Sequence, residues 1–291
     1  MAAAGGAYGV NAQFVVMGEK EIPASSTSAG CLIVNADDWG RDAATTDRIH
    51  ECFEARVISS ASAMVFMADS HRGAALAQQR GLDCGLHLNL TELFSAVDVP
   101  ARLVERQQKI ARYLRRNRFA PILFHPGLTD SFECVVAAQI EEFHRLYGAA
   151  PARIDGHHHM QLSANVLSQK LIPDGTIVRR NFSFQVGEKN WANRTYRKFR
   201  DRRLQQNYRV VDFLFNLQPI EPASRLQRIV SLSRHAVVEL ETHPVNVEEY
   251  GFLMRGGITA LDDSLQIAPR FSLPLAPGSV ARALPQTAVN G

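Results

Sequence analysis

Short apolar runs that alternate with segments of helical period are what most restricts the folds open to this chain. Cys31-Leu32-Ile33-Val34 reads as a buried strand, and a helical pattern follows over residues 43–55. Ser62-Ala63-Met64-Val65-Phe66 reads as a second strand, followed by a helix that Asp69 would cap and that runs to Arg80. Gly85-Leu86-His87-Leu88-Asn89-Leu90 alternates in the manner of a third. Amphipathic helices are expected over residues 103–114 and 132–146, the latter behind Asp130-x-x-Glu133, a capping-box pattern. Residues 153–155, 176–178, 210–214 and 236–240 complete the strand candidates. The alternation predicts an α/β fold with a mainly parallel sheet. About seven such units in roughly 240 residues fit a distorted or incomplete β/α barrel better than a small open sheet. In either architecture chemistry gathers at the carboxyl ends of the strands.

The flanks read differently. Residues 1–30 are rich in Ala, Gly and Ser and are expected to form a loosely ordered extension, residues 31–268 the folded domain, and residues 269–291 a Pro- and Ala-rich irregular tail. Hydrophobic residues make up 46% of the 291, enough for a core that needs no disulfide or structural metal. A net charge of +3 is small for this length and gives no reason to expect nucleic acid as a partner. Cys31, Cys52, Cys84 and Cys134 stand singly, which disfavours zinc ribbons and Cys-x-x-Cys redox chemistry and suits a reducing compartment. No apolar run is long enough for a membrane span, and no signal-peptide pattern opens the chain, so a cytoplasmic location is expected.

Four polar clusters fall at strand ends. Asn35-Ala36-Asp37-Asp38-Trp39-Gly40 offers adjacent carboxylates, which suit a metal ligand with a free base beside it and equally suit a turn. In Gly85-Leu86-His87-Leu88-Asn89-Leu90-Thr91 an extended backbone would put His87 and Asn89 on one face. A polar pair there either lines a site or is satisfied within the core. Asp155-Gly156-His157-His158-His159-Met160-Gln161, if extended, places Asp155, His157, His159 and Gln161 together and His158 opposite. Imidazoles suit zinc and related ions, and carboxylates add affinity for harder ones such as magnesium. Glu239-Leu240-Glu241-Thr242-His243-Pro244 ends the last strong strand; the proline holds His243 extended, as a proton donor or as a structural loop residue. Together the clusters supply a carboxylate and two imidazoles while leaving coordination positions open, as a catalytic metal requires.

The segments NADDWG, GLHLNLT, DGHHHMQL and ETHP, in this order and spacing, resemble the YdjC-like carbohydrate deacetylases, a family that includes chitooligosaccharide deacetylases and hopanoid-biosynthesis relatives. The resemblance covers roughly residues 31–260. It implies that residues 31–268 form a distorted barrel that hydrolyses the N-acetyl group of a sugar with a divalent ion, usually magnesium, zinc being the alternative that two imidazoles favour. It also implies Asp38 as the carboxylate ligand, His87 and His157 as imidazole ligands, Asp37 as general base and His243 as the acid. Gln161 stands where the family often has a third spaced histidine, and Trp39 where phenylalanine is common, which leaves His159 and Gln161 without assigned roles. The implied partner is an N-acetylated sugar or oligosaccharide, free or carried on a lipid or diphosphate. Rival readings are a metal-dependent phosphoesterase of barrel type and a sugar-binding protein without activity. Asp37 beside Asp38 speaks against the latter, because binding alone needs no base.

Two basic stretches lie outside these motifs. Residues 102–118 carry seven Lys or Arg against Glu105, and residues 189–209 carry eight against Asp201. Each fits a solvated helical face, or a surface that meets an anionic part of the substrate or an acidic membrane. Trp191, Tyr196, Phe199 and Tyr208 interleave with the second stretch, where an aromatic face could stack on a sugar ring.

Overall fold

The computed structural model describes residues 30–183, 191–262 and 264–273; nearly all of the expected N-terminal extension and most of the expected tail lie outside the described residues. Strands β1 (Cys31–Trp39), β2 (Ser60–Ala63), β3 (Cys84–Leu88), β4 (Arg153–Gly156), β5 (Ile177–Val178), β6 (Phe213–Asn216) and β7 (Val237–Thr242) form one sheet in the order β5-β4-β3-β2-β1-β7-β6. Every pairing in it is parallel. The sheet curls toward closure. Arg209, just ahead of β6, bridges to Ile177 of β5, donating to the Thr176 carbonyl at 3.0 Å and accepting from the Val178 amide at 2.8 Å. The barrel is therefore incomplete, with an irregular segment standing where an eighth strand would close it.

The connections are helical: α1 (Ala43–Glu54), α2 (Ser70–Arg80), α3 (Ala101–Leu114), α4 (Thr129–Tyr147), α5 (Ala164–Ser168), α6 (Trp191–Leu204), α7 (Ala223–Leu232) and α8 (Val247–Met254). Asp42 starts α1 by accepting the Thr45 amide at 2.9 Å. Two expected caps do not form. Asp69 makes no cap bond, because its carboxylate is engaged by Arg72 at 2.8 to 3.1 Å. Helix α4 begins at Thr129, so Asp130 falls inside the first turn, where its charge meets the helix dipole instead of capping. Strand β2 also stops at Ala63, so Met64, Val65 and Phe66 leave the sheet.

Strand alternation divides the barrel into two environments. Outward-facing residues such as Leu32, Val34, Leu86, Leu88, Ile154, Val238 and Leu240 join the helices in the main core. Inward, a small apolar layer of Ile33, Val211, Leu214, Val237 and Phe271 fills the base. Phe271 belongs to the C-terminal segment, which crosses the base with its amide on Asp83 Oδ2 (2.8 Å) and the Arg153 guanidinium over its ring at 4.4 Å. Above that layer the interior turns polar. Asn35 bonds Ser60 and Ser62 at 2.6 and 2.7 Å, Ser62 donates to Asp155, and Glu239 and Glu241 point in from β7.

Candidate active site

The mouth of the barrel is shaped first by an irregularity in β1. Its register against β2 steps from Ala36↔Ala61 to Trp39↔Ala63, so β1 carries one residue too many, and Asp38 takes φ 73. A regular strand would send Asp37 and Asp38 to opposite faces; the bulge re-aims the second carboxylate and brings both to one site. Each is 2% exposed. Gly40 (φ 82) completes the turn, because a Cβ there would meet Ser70 Cα at 3.1 Å and the Met64 carbonyl at 3.2 Å.

Asp38 Oδ1 lies 3.3 Å from His87 Nε2 and 3.0 Å from His157 Nδ1. The far nitrogen of each ring faces another carboxylate. His87 Nδ1 bonds Asp155 Oδ1 at 2.8 Å, and His157 Nε2 lies 3.1 Å from Glu92 Oε2. When those outer nitrogens carry the protons, both inner lone pairs turn toward Asp38. Asp38 Oδ1 itself is buried and accepts no hydrogen bond. Three electron-rich atoms converging in this way repel one another unless a cation stands between them. Donors held about 2.0–2.2 Å from an ion sit roughly 3 to 3.5 Å apart, as each imidazole nitrogen does from Asp38 Oδ1. One donor atom from each of Asp38, His87 and His157 lies within 4.8 Å of the others, so the set fits a divalent ion. Without a cation the same crowding is relieved by protons instead: against burial, the facing imidazoles, when protonated, hold the Asp38 carboxyl well below the usual range. Burial would lower His87, but the charge of Asp37 and the contacts with Asp155 and Asp38 hold it well above its ordinary value.

His157 opens a tight helical turn, His157–Leu162, in which His158 and His159 both take left-handed backbone (φ 55 and 58). The extended reading of this segment is thereby corrected. His158 Nδ1 meets Thr91 Oγ1 at 3.0 Å, and His159 Nε2 lies 3.3 Å from Glu241 Oε2. Gln161 is buried behind Gly156, donating to the Arg179 carbonyl at 3.2 Å. Burial and the neighbouring His157 charge lower His158. Asn89 is likewise not beside His87 on a strand face. β3 ends at Leu88, and the Asn89 side chain ties a turn by accepting from the Thr91 and Glu92 amides, which presents Glu92 to His157.

Below these residues lies a charge cluster that motif reading missed. Arg179, 3% exposed, donates to Asp37 at 2.6 and 2.8 Å, to Glu239 at 2.8 Å and to Glu241 at 3.0 Å, and lies 3.1 Å from Asp155. It clamps Asp37 from one side while Asn35 donates to the same carboxylate at 2.9 Å. His243 Nε2 stands 3.9 Å from both Asp37 Oδ2 and Glu241 Oε1, and its amide donates to Glu249 at 2.7 Å. Two further carboxylate–histidine groups, Asp37–Glu241–His243 and Asp37–His87–Asp155, are compact enough to bind a cation, but Arg179 already neutralises their carboxylates. A signal for Arg179 was present in the strand pattern. Glu239 and Glu241 alternate with apolar neighbours, and inward carboxylates in a buried strand demand a cation.

A profile of the YdjC-like proteins matches residues 31–260, most of the chain. The chain belongs to the YdjC-like family. Among its relatives, a chitooligosaccharide deacetylase of Serratia marcescens is 32% identical over 136 residues, covering 46% of this chain and 52% of that protein. A chitooligosaccharide deacetylase of Yersinia pestis (strain Pestoides F) is 32% identical over 132 residues, covering 45% and 50%. The matched stretch thus spans about half the length of these curated relatives. Among solved structures, an Enterococcus faecalis V583 protein named for cellobiose-phosphate cleavage superposes with a TM-score of 0.59 at 19% identity, over 83% of this YdjC-like chain and 97% of its own, a likeness of fold alone.

Of the basic stretches, residues 102–118 lie on α3 and just beyond it. In the second, Lys189 lies outside the described residues, as do the side chains of Trp191, Tyr196 and Phe199. Tyr208 is buried, with its hydroxyl 3.3 Å from the Ile172 carbonyl, and offers no stacking face. Asp201 and Arg200 tie α6 inward, to Arg180 at 2.7 Å and to the Leu162 carbonyl at 2.6 Å. The four cysteines are unpaired thiols. Among the described residues no helix is long and apolar enough to cross a membrane.

Proposed function

We propose that this YdjC-like protein is a metal-dependent carbohydrate N-deacetylase in which Asp38, His87 and His157 hold the ion, Asp37 is the general base and His243 the general acid. One observation carries the reading: buried, unbonded Asp38 Oδ1 between two imidazole nitrogens, with Asp37 alongside. The deacetylase activity named for the Serratia and Yersinia relatives supplies the substrate class, an N-acetylated sugar. A divalent ion supplies Lewis-acid polarisation of the acetyl carbonyl and a lowered pKa for the attacking water. Asp37 takes a proton from that water, its carboxylate kept in place by Arg179 and Asn35. His243, about one-third exposed at the mouth, delivers a proton to the departing sugar nitrogen. Glu92 and Asp155 orient the two imidazoles by occupying their outer nitrogens. The ion is magnesium by family resemblance, and zinc suits the same donors. The four free thiols are consistent with work in the cytoplasm.

Acetate release from N-acetylglucosamine oligomers tests the reading. Chelation should abolish it, and restoring magnesium or zinc in turn should identify the working ion. Asp37→Asn should keep metal affinity within a few-fold while lowering turnover by about 10²–10⁴. Acetate release that survives chelation would refute the metal assignment, and an Asp37→Asn enzyme of near-normal rate would refute the base.

A further inference from the structure

Between α3 and α4 the chain displays a row of large apolar side chains: Phe119 (50% exposed), Ile122 (46%), Leu123 (58%) and Phe124 (46%). A slack loop would fold such side chains onto one another, but this backbone is pinned. Asn117 Oδ1 accepts the Phe119 and Ala120 amides at 2.9 and 3.0 Å, and the Tyr113 hydroxyl lies 2.9 and 2.7 Å from the Ala120 and Leu123 carbonyls, sharing its one proton between them. Asn165 grips His125 from both sides, accepting its amide at 2.9 Å and donating to its carbonyl at 3.0 Å. The apolar groups are thus held outward by a hydrogen-bonded frame, which must be stabilised by burial elsewhere.

The charge around the row selects what covers it. Residues 106–129 contain six Lys or Arg and no Asp or Glu. Lys109 is paired with Glu105 at 2.8 Å, but Arg112, Arg115, Arg116 and Arg118 are exposed, and no carboxylate pairs with them among the described residues. The Arg118 guanidinium lies over the Phe119 ring at 4.8 Å. A two-fold contact with a second copy would bring these arginines against their own images, and like charges oppose it. Position matters as well. Asn165 belongs to α5, which directly follows the His157–Leu162 turn, and exposed Leu93 and Val97 follow Glu92, the partner of His157. The row therefore stands at the same end of the barrel as the mouth.

We propose that this patch docks the protein on an anionic lipid bilayer, the apolar side chains entering the headgroup–acyl boundary and the arginines holding acidic headgroups, with the barrel mouth turned toward the surface. Docking is independent of the deacetylase reading, since it needs no turnover. The test is co-sedimentation of the full chain with vesicles of phosphatidylcholine alone and vesicles of equal parts phosphatidylcholine and phosphatidylglycerol. Sedimentation is expected with the second and not the first. Arg115→Gln and Arg116→Gln should each lower partition about fivefold, and added salt should weaken it. The double variant Leu123→Ser/Phe124→Ser should lose most binding while keeping its thermal melt, since both side chains are exposed. Equal binding to both vesicles, binding to neither, or full binding by the variants overturns the proposal. So does a change of oligomeric state in Leu123→Ser/Phe124→Ser, seen by light scattering without vesicle binding in the parent; that result assigns the patch to a second copy.

Discussion

Replacing Arg179 by leucine should destabilise the fold by an amount that depends strongly on pH. The guanidinium lies within 3.1 Å of carboxylate oxygens from Asp37, Asp155, Glu239 and Glu241, all of them 3% exposed or less. Removing one partner of a buried ion pair costs about 3–5 kcal/mol, and a cation serving four carboxylates belongs at the upper end. The abandoned Glu239 would respond by holding its proton. Burial and the Asp155 and Asp37 charges already push Glu239 up to about 7 with Arg179 opposing, and loss of that opposition moves it further. In the parent, Arg179 and His159 hold Glu241 down to about 2 against burial, which stabilises the fold above the ordinary carboxylate range and is lost as pH falls toward 2. In the variant Glu239 sits further above its unfolded value, so the folded state binds the extra proton, and stability falls as pH rises through the folded pKa. The deficit should therefore grow with pH. Urea unfolding of chelator-treated parent and variant should show about 3–5 kcal/mol near pH 8 and less than half of that near pH 5. A deficit that is flat across that range, or below about 1 kcal/mol throughout, would refute the reasoning.

Three further outcomes follow from the geometry. Glu239→Gln keeps an acceptor for Arg179 but removes a carboxyl raised to about 7, so the parent's fall in melting temperature from the ordinary glutamate range through neutrality should shrink in the variant; an unchanged slope by calorimetry contradicts this. Glu92→Ala strips the acceptor from His157 Nε2 and should weaken divalent-ion binding about 10–100-fold by titration calorimetry, with unchanged affinity counting against an orienting role. Gly156→Ala would place a Cβ 2.7 Å from Gln161 Oε1 and 2.9 Å from the Gln161 amide, costing about 1–3 kcal/mol in urea unfolding and displacing the adjacent His157; a parent-like variant would show that the turn yields freely.

Apolar periodicity placed six of the seven strands to within two residues at their starts, and β6, expected at Val210, begins at Phe213, because Arg209, just ahead of that run, bridges to β5, and the chain reaches β7 only at Asp212, whose amide donates to the Val237 carbonyl at 3.0 Å. Cap signals were less faithful. Asp69 and Asp130 carry the right side chains, but Arg72 competes for the first, and the second lies past the true helix start. The exposed row at residues 119–124 was invisible as a surface, since an apolar segment reads the same whether it is packed or displayed.

The sequence by itself determined the α/β alternation, the parallel sheet and the clustering of acids and histidines at strand ends, because these depend on local period and on residue type. The tertiary structure alone decided which of those groups meet. A one-residue bulge turns Asp38 into the site with Asp37, two left-handed histidines send three consecutive imidazoles to three different partners, and Arg179 crosses the barrel to four carboxylates from three strands. Such convergence is a property of backbone irregularity and of distance through space, and a one-dimensional pattern encodes neither.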